Sequence, residues 1–465
     1  MKRMSENTLR QYRQTAILGL ILTVEKLFPT EQLKIAHSIL NGIYCELERS
    51  LLSSREVRNI EDKLREWARR DTPITCTPGD DGFFHCELNG RQIKSLYPSR
   101  SHSGSLRDFR LVHYPPGFIL LFPDPEDSEQ SSPFVLPEKL SATFSESQRW
   151  VENLNLDEVS DINRIIADQR SYEITALAEA LHEKKISLIA DRILEQKRHT
   201  RIVLISGPSS SGKTTFAQRL STQLRVNGLK PVPLSLDNYF LAREDTPRDA
   251  SGQPDFEALE ALDLGLLNRQ LDILSRGGEA EVPIFDFVQG RRRPVGETLV
   301  LKPDEILVIE GIHGLNPRLA PSLGRSQTFK IYVSALFQLN VDPLNRIPTT
   351  EVRLIRRLVR DDQFRGIDPI RTLSQWPSVR RGENNAIFPY QEEADVMFNS
   401  SLLYELNALR PYAEPLLVNI PPGNPHCETA ERLLRLLSFF TPLVPDKVPP
   451  SSILREFIGG SIYPV

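Results

Sequence analysis

The sequence predicts an α/β fold: a mostly parallel sheet with helices on both faces, preceded by an α+β domain. Three observations predict it. The apolar run at residues 202–205 reads as a buried strand, a glycine-rich loop follows, and Phe216, Leu220 and Leu224 then recur at helical spacing until Gly228 offers a stop. From Arg201 onward strand and helix patterns alternate, as in parallel sheets covered on both faces. Residues up to about Asp127 instead mix helical and strand patterns.

In order along the chain, the apolar run at residues 16–22 is far shorter than the roughly 20 residues a membrane span needs. It reads as a buried helix continuing to Leu27-Phe28-Pro29, and no small-residue cleavage site follows it. A second helix is expected over residues 54–70, where Val57, Ile60, Leu64 and Trp67 recur every three or four positions. Strands are expected near residues 82–88 and 118–122, and the polar, proline-punctuated stretch 123–133 reads as a linker or long loop. A helical connector with Ile186, Ile189 and Ile193 leads into the first strand of the sheet. The further candidate strands are 232–236, 306–309, 329–333 and 416–420. This organisation assigns residues 1–127 to the α+β domain, 128–199 to a linker and helical connector, 200–440 to the parallel-sheet domain and 441–465 to a tail.

With 465 residues, 40% hydrophobic and 25% charged, the chain has the composition of a globular protein of two or three domains. Its net charge of −4 gives no global attraction to nucleic acid or acidic membranes. Cys45, Cys76, Cys86 and Cys427 are too few and scattered for a disulfide framework and suit a reducing, cytoplasmic setting. His37, Cys45, Cys76, His85 and Cys86 match no tight zinc spacing, and are read as ordinary buried cysteines and surface histidines.

Gly207-Pro208-Ser209-Ser210-Ser211-Gly212-Lys213-Thr214 fits the P-loop pattern at every fixed position. Between a strand and a helix N-terminus, such a loop turns backbone N–H groups and the positive end of the helix dipole toward phosphates. Lys213 is placed to reach the outer phosphates and Thr214 to hold Mg²⁺, which makes this a nucleoside triphosphate site. Ligands of open parallel sheets bind at the carboxyl ends of the strands. Two acids fall there, Asp237 after the strand ending Leu234-Ser235-Leu236 and Glu310 after residues 306–309. Phosphoryl transfer to a hydroxyl needs a carboxylate to orient the attacking oxygen and take its proton. Asp237 is the candidate base and metal ligand, Glu310 the second metal-associated carboxylate. On a helical wheel Arg353, Arg356, Arg357 and Arg360 share one arc opposite Val352, Leu354, Ile355, Leu358 and Val359, so a guanidinium stripe is expected to face outward and close over phosphates.

These motifs resemble the uridine kinase and phosphoribulokinase family. The match runs through the P-loop with Thr215, Asp237-Asn238-Tyr239-Phe240, Val282-Pro283-Ile284-Phe285-Asp286-Phe287 and Glu310-Gly311-Ile312-His313-Gly314-Leu315. It continues through Arg353 to Asp361 and Ala394 to Ser401, covering about half the chain. Bacterial uridine kinase-like proteins with an extra N-terminal region also end in a sequence similar to Ser452-Ile453-Leu454-Arg455-Glu456-Phe457-Ile458-Gly459-Gly460-Ser461. The resemblance implies ATP and Mg²⁺ on residues 207–215, with metal contacts from Thr214, Asp237 and Glu310. It implies catalysis by Lys213, Asp237, Glu310 and Arg360 on a nucleoside 5′-hydroxyl. Substrate contacts are implied for Tyr239, Glu257, Phe285, Phe287, Arg357, Arg360 and Gln375. The nucleoside pocket departs from the uridine kinase pattern: Glu257 stands where the family has an aspartate, and Phe285 and Gly290 where it has a tyrosine and a histidine. Arg291-Arg292-Arg293 reads as a solvated hairpin tip.

The region from Leu27 to Glu61 looks like the additional domain of threonyl- and alanyl-tRNA synthetases, without its editing histidine pair. The expected partner is a small-molecule nucleoside, with neither membrane nor nucleic acid, and self-association is left open. Two alternatives stay open: a sugar-phosphate kinase resembling phosphoribulokinase, and a nucleotide-switched tRNA-binding protein. A regulatory GTPase would need an Asn/Thr-Lys-x-Asp motif, which the chain lacks.

Overall fold

The apolar N-terminal run folds as one long helix, α1 (Glu6–Leu27), with Leu18, Leu20, Ile21 and Val24 buried. The structure, a computed structural model, describes residues 6–39, 41–122, 137–197, 199–249, 252–286, 289–321 and 324–463. The expected linker at 123–133 lies outside the described residues. Among those described, no helix is long and apolar enough to cross a membrane.

The chain divides into two compact units. The first contains α1, strands β1 (Leu33–Ile39) and β2 (Gly42–Leu47), and helix α2 (Ser54–Arg69). It continues with β3 (Thr75–Pro78), β4 (Phe84–Leu88), β5 (Arg91–Ser95), β6 (Arg110–Tyr114), β7 (Gly117–Leu121) and α3 (Glu138–Asn153). Helix α2 starts where the sequence says it should: the Ser53 hydroxyl accepts from the Glu56 N–H while the Glu56 carboxylate accepts from the Ser53 N–H, a reciprocal capping box. Val57, Ile60, Leu64 and Trp67 then form its buried face. The antiparallel sheet has the order β1-β2-β7-β6, and β3-β4-β5 form a second, smaller sheet.

One expectation about the cysteines needs correction. Cys76 and Cys86 lie directly opposite each other on β3 and β4, and their sulfurs are bonded. Hairpin register brings together residues that looked scattered in the sequence. Cys45 and Cys427 are free.

The division between units falls within α4 (Val159–Ala167), and the second unit then opens with α5 (Ser171–Glu195), the expected helical connector. Next come β8 (Ile202–Ser206), α6 (Lys213–Val226), β9 (Lys230–Ser235), α7 (Leu264–Ser275), β10 (Glu279–Val282), β11 (Phe285–Asp286), β12 (Arg291–Arg292), β13 (Glu297–Val300), β14 (Glu305–Glu310) and β15 (Thr328–Ser334). The short hairpin of β16 (Asn340–Asp342) and β17 (Asn345–Arg346) belongs to the first unit. There the Ile35 N–H donates to the Pro343 carbonyl, and Asn345 bonds both Leu96 and Lys94. The second unit resumes with α8 (Thr349–Arg365), α9 (Pro369–Ala386), β18 (Val396–Asn399), α10 (Glu405–Val418) and most of α11 (Cys427–Ser438), and closes with α12 (Arg455–Ile458).

Five parallel strands in the order β18-β15-β8-β14-β9 form the central sheet of this unit. Every residue of β8 is buried, as expected of a strand covered on both faces. Leu204, Leu234, Leu307 and Ile309 pack with Leu267 and Leu271 of α7. The expected α/β class and four of the five expected strands stand. The fifth is corrected: residues 416–418 end helix α10, and β18 completes the sheet instead. Pro411 and Pro415 within α10 argued against a helix, and a short apolar run has no periodicity to separate strand from helix.

Candidate active site

Strand β8 sits in the middle of the sheet, so its carboxyl end delivers residues 207–214 between the ends of β14 and β15. Gly212 precedes α6 at φ 84°. A Cβ there would lie 2.4 Å from Ile453 Cγ2, and one on Gly207 would lie 2.0 Å from the Val333 carbonyl oxygen, so the loop closes only with glycine at both positions. Ser210, Ser211, Lys213 and Thr215 are buried, and Thr214 is half-buried. Among the described residues, the hydroxyls of Ser210, Ser211 and Thr215 have no hydrogen-bond partner. Orphaned donors gathered at a helix N-terminus fit a ligand rich in anionic oxygens.

Lys213 Nζ donates to the Pro208 carbonyl at 3.1 Å. Burial pulls its pKa below the ordinary lysine range, while Glu310, Asp237 and Glu456 pull it back toward the charged form. Strands β9 and β14 are paired in register, Glu310 against Ser235, which sets both acids beside the loop. The Ser235 hydroxyl donates to Glu310 Oε1 at 2.8 Å. Burial, and then repulsion from Asp237, raises the Glu310 pKa to about 7. Two half-buried carboxylates that repel each other beside one ammonium form an electrostatic site that a divalent cation would relieve. Thr214, Asp237 and Glu310 offer oxygen donors of the kind Mg²⁺ takes.

The arginine helix holds a correction. The stripe does not face outward: every residue from Glu351 to Asp361 of α8 is buried, guanidinium groups included. Arg353 Nε donates to the Ser209 carbonyl at 3.0 Å, and Arg357 reaches the Ser209 hydroxyl at 2.9 Å. Arg356 bonds the Ser400 carbonyl at 3.0 Å and pairs with Glu405, both side chains being fully buried. Arg360 bonds Asp361 at 2.9 Å and acts on Lys213 through its charge. Burial pushes the Asp361 carboxyl up, but Arg360, Arg357 and Arg365 outweigh it and hold it below its usual range. A helical wheel identifies the polar face without saying what covers it; here the P-loop backbone and a set of buried carboxylates do.

On the substrate side, Glu257 is half-buried and within the fields of Arg357, Lys213 and Asp237. Burial raises its pKa, and its Oε2 is buried without a partner among the described residues, as an acceptor awaiting a donor would be. Phe285 is half-buried, its backbone N–H on Asn238 Oδ1 and its ring edge-on to Phe240 at 5.9 Å. Gln375 is half-buried on α9. Tyr239 is different: it is fully buried in the core, and its hydroxyl donates to Gln270 at 2.6 Å. Phe287 lies outside the described residues. The hairpin β11–β12 forms where expected, with Arg291 and Arg293 exposed, whereas Arg292 is half-buried and bonds the carbonyls of Tyr239 and Phe240 and the Asp263 carboxylate.

Sequence reasoning missed Glu383 and Glu456. Glu383 on α9 is fully buried, pairs with Arg353 and Arg380, and accepts from the Ser209 N–H at 3.2 Å. Glu456 on α12 accepts from the Thr215 N–H at 3.0 Å. The one signal for Glu456 was its place in the closing motif; for Glu383 there was none.

A Phosphoribulokinase / Uridine kinase family model matches residues 202–402. A uridine kinase of Deinococcus deserti is 30% identical over 197 residues, covering 42% of this chain and 86% of the relative. The chain belongs to the phosphoribulokinase/uridine kinase family. The family match covers the five strands of the parallel sheet and leaves α5, α10 to α12 and most of the first unit unmatched. A uridine kinase of Schizosaccharomyces pombe is 34% identical over 181 residues, which is 38% of this chain but only 36% of that relative. A possible uridine kinase from Bacillus stearothermophilus aligns in structure with a TM-score of 0.33 at 22% identity, covering 46% of this chain and 98% of its own.

Proposed function

We propose that the parallel-sheet unit transfers the terminal phosphoryl group of ATP to a ribose-type hydroxyl, the 5′-hydroxyl of a nucleoside. The observation that carries this reading is that the pairing of β9 with β14 sets Asp237 and Glu310 at the carboxyl edge of the sheet, where both act on Lys213, while Lys213 and Asp237 act on Glu257. In this reading residues 207–215 hold the phosphates, with Lys213 on the outer ones. Thr214, Asp237 and Glu310 would hold Mg²⁺, which when bound neutralises phosphate charge. Asp237 accepts the proton of the acceptor hydroxyl as its oxygen bonds to the γ-phosphorus, and ADP departs with the bridging electron pair. Arg357 and Arg360 exclude water and balance the charge that develops. Glu257 accepts from ribose hydroxyls, and Phe285 stacks on the base.

Stacking without polar handles tolerates different bases, so several nucleosides or a non-pyrimidine one are the expected acceptors. The test is a phosphorylation screen over nucleosides and sugar phosphates with ATP and Mg²⁺. Transfer to sugar phosphates alone would replace the nucleoside reading with that of a phosphoribulokinase-like enzyme.

For the first unit we propose a relative of the synthetase additional domain that has lost editing. Its His37 is buried, stacked on Phe144 at 3.9 Å, and burial lowers its pKa to about 3, so it is unsuited to working on an exposed ester. A cytoplasmic setting belongs to the same proposal, with the bonded Cys76 and Cys86 weighing against it; fractionation of cells that make the protein is the test.

A further inference from the structure

The P-loop's own hydrogen-bond donors are partly taken by carboxylates of the same unit. Thr215 is the third residue of α6, so its N–H is one of the first-turn donors without an intrahelical acceptor. In a P-loop such donors cradle the α- and β-phosphates. Here the Glu456 carboxylate takes that N–H, buried and within the field of Lys213 and Glu310.

The segment carrying Glu456 is seated on the loop by apolar and cation–π contacts. Ile453 packs against Gly212, and Phe457 lies under the Arg356 guanidinium at 5.1 Å. Arg455 ties the segment to itself through the carbonyls of Gly459, Pro445 and Val448. Glu383 at the other end of the loop is locked by two arginines, whereas Glu456 has no ion-pair partner among the described residues. Its hold on the loop is therefore a single charge-assisted hydrogen bond to backbone, one that a phosphate oxygen can replace.

We propose that the C-terminal segment is an autoinhibitory strap, in which Glu456 fills the α-phosphate end of the P-loop and withdraws when a nucleoside triphosphate binds. The proposal rests on the reading of this loop as a nucleotide site. One N–H cannot serve a carboxylate and a phosphate at once, and two anionic oxygens at that separation repel in a site with little water. Binding therefore includes the cost of displacing Glu456, and any ligand or partner that holds the strap away would activate the enzyme.

The test is calorimetric titration of ATP with Mg²⁺ into the full chain, as wild type, Glu456→Gln and Lys213→Ala, with hydrogen exchange of residues 452–461 in the wild type. Glutamine keeps the size and an acceptor oxygen while removing the charge. Glu456→Gln should bind roughly tenfold tighter, about the worth of one charge-assisted hydrogen bond, and ATP should raise exchange at residues 452–461. Unchanged or weaker binding by Glu456→Gln, or added protection of the strap on ATP binding, overturns the strap while leaving the nucleotide site intact. Wild-type binding by Lys213→Ala, or no binding by any of the three, overturns the nucleotide site and the strap with it.

Discussion

Lys213 is buried among carboxylates rather than in an apolar core, so its charge serves the site and not the fold. Lys213→Ala should abolish phosphoryl transfer and leave the circular dichroism spectrum and thermal transition close to wild type. Asp237→Asn keeps the size of the side chain and removes its ability to accept a proton. ATP binding should persist while turnover falls by roughly 10²–10⁴-fold, the usual worth of a positioned general base; near-normal turnover on every acceptor would remove Asp237 from that role. Glu257 has a buried carboxylate oxygen with no partner among the described residues. An acceptor lacking the ribose 2′- or 3′-hydroxyl would leave it unpaired, so the deoxy analogue should lose more kcat/KM than a change of base. A nucleoside panel with matched deoxy analogues checks this, and strict uridine and cytidine selectivity with deoxy analogues accepted equally would refute it.

Elements carry different kinds of stability. Helix α8 is buried on all sides from Glu351 to Asp361, and its Arg356 pairs with Glu405 where neither side chain reaches solvent. Removing one member strands the other charge, so Arg356→Met should cost about 3–5 kcal/mol in denaturant unfolding. Removing Glu405 as well should recover part of that loss. Helix α2 depends on something more local, its capping box at Ser53. Ser53→Ala should cost only about 1 kcal/mol, read as a small shift of the same unfolding curve. The contrast follows from the dielectric: an exposed cap can be replaced by water, a buried partner cannot.

At the scale of the molecule, the first unit is not a simple N-terminal block. It draws in residues 338–348 and 434–441 from far along the chain, with Asn340 and Asn345 bonded to backbone at Ile35, Lys94 and Leu96. A chain starting near residue 165 would leave that hairpin without those partners. It should still bind ATP, because the parallel sheet has its own core, but melt at a lower temperature than the full chain. Loss of ATP binding in a folded fragment would show that the site depends on the first unit.

Local signals alone determined a good deal of this protein. The P-loop, the strands leading to Asp237 and Glu310, the α2 cap and the α/β class are each set by residues within a few positions of one another. Short-range sterics and hydrogen bonding decide them, and the family resemblance rested on the same short motifs. What covers a surface is a different question, because it depends on groups distant in sequence. Only the tertiary structure buried the arginines of α8, paired Cys76 with Cys86 and drew Tyr239 into the core. It alone set Glu383 and Glu456 on the P-loop, since an acid more than 150 residues away carries no local mark of the N–H it will accept.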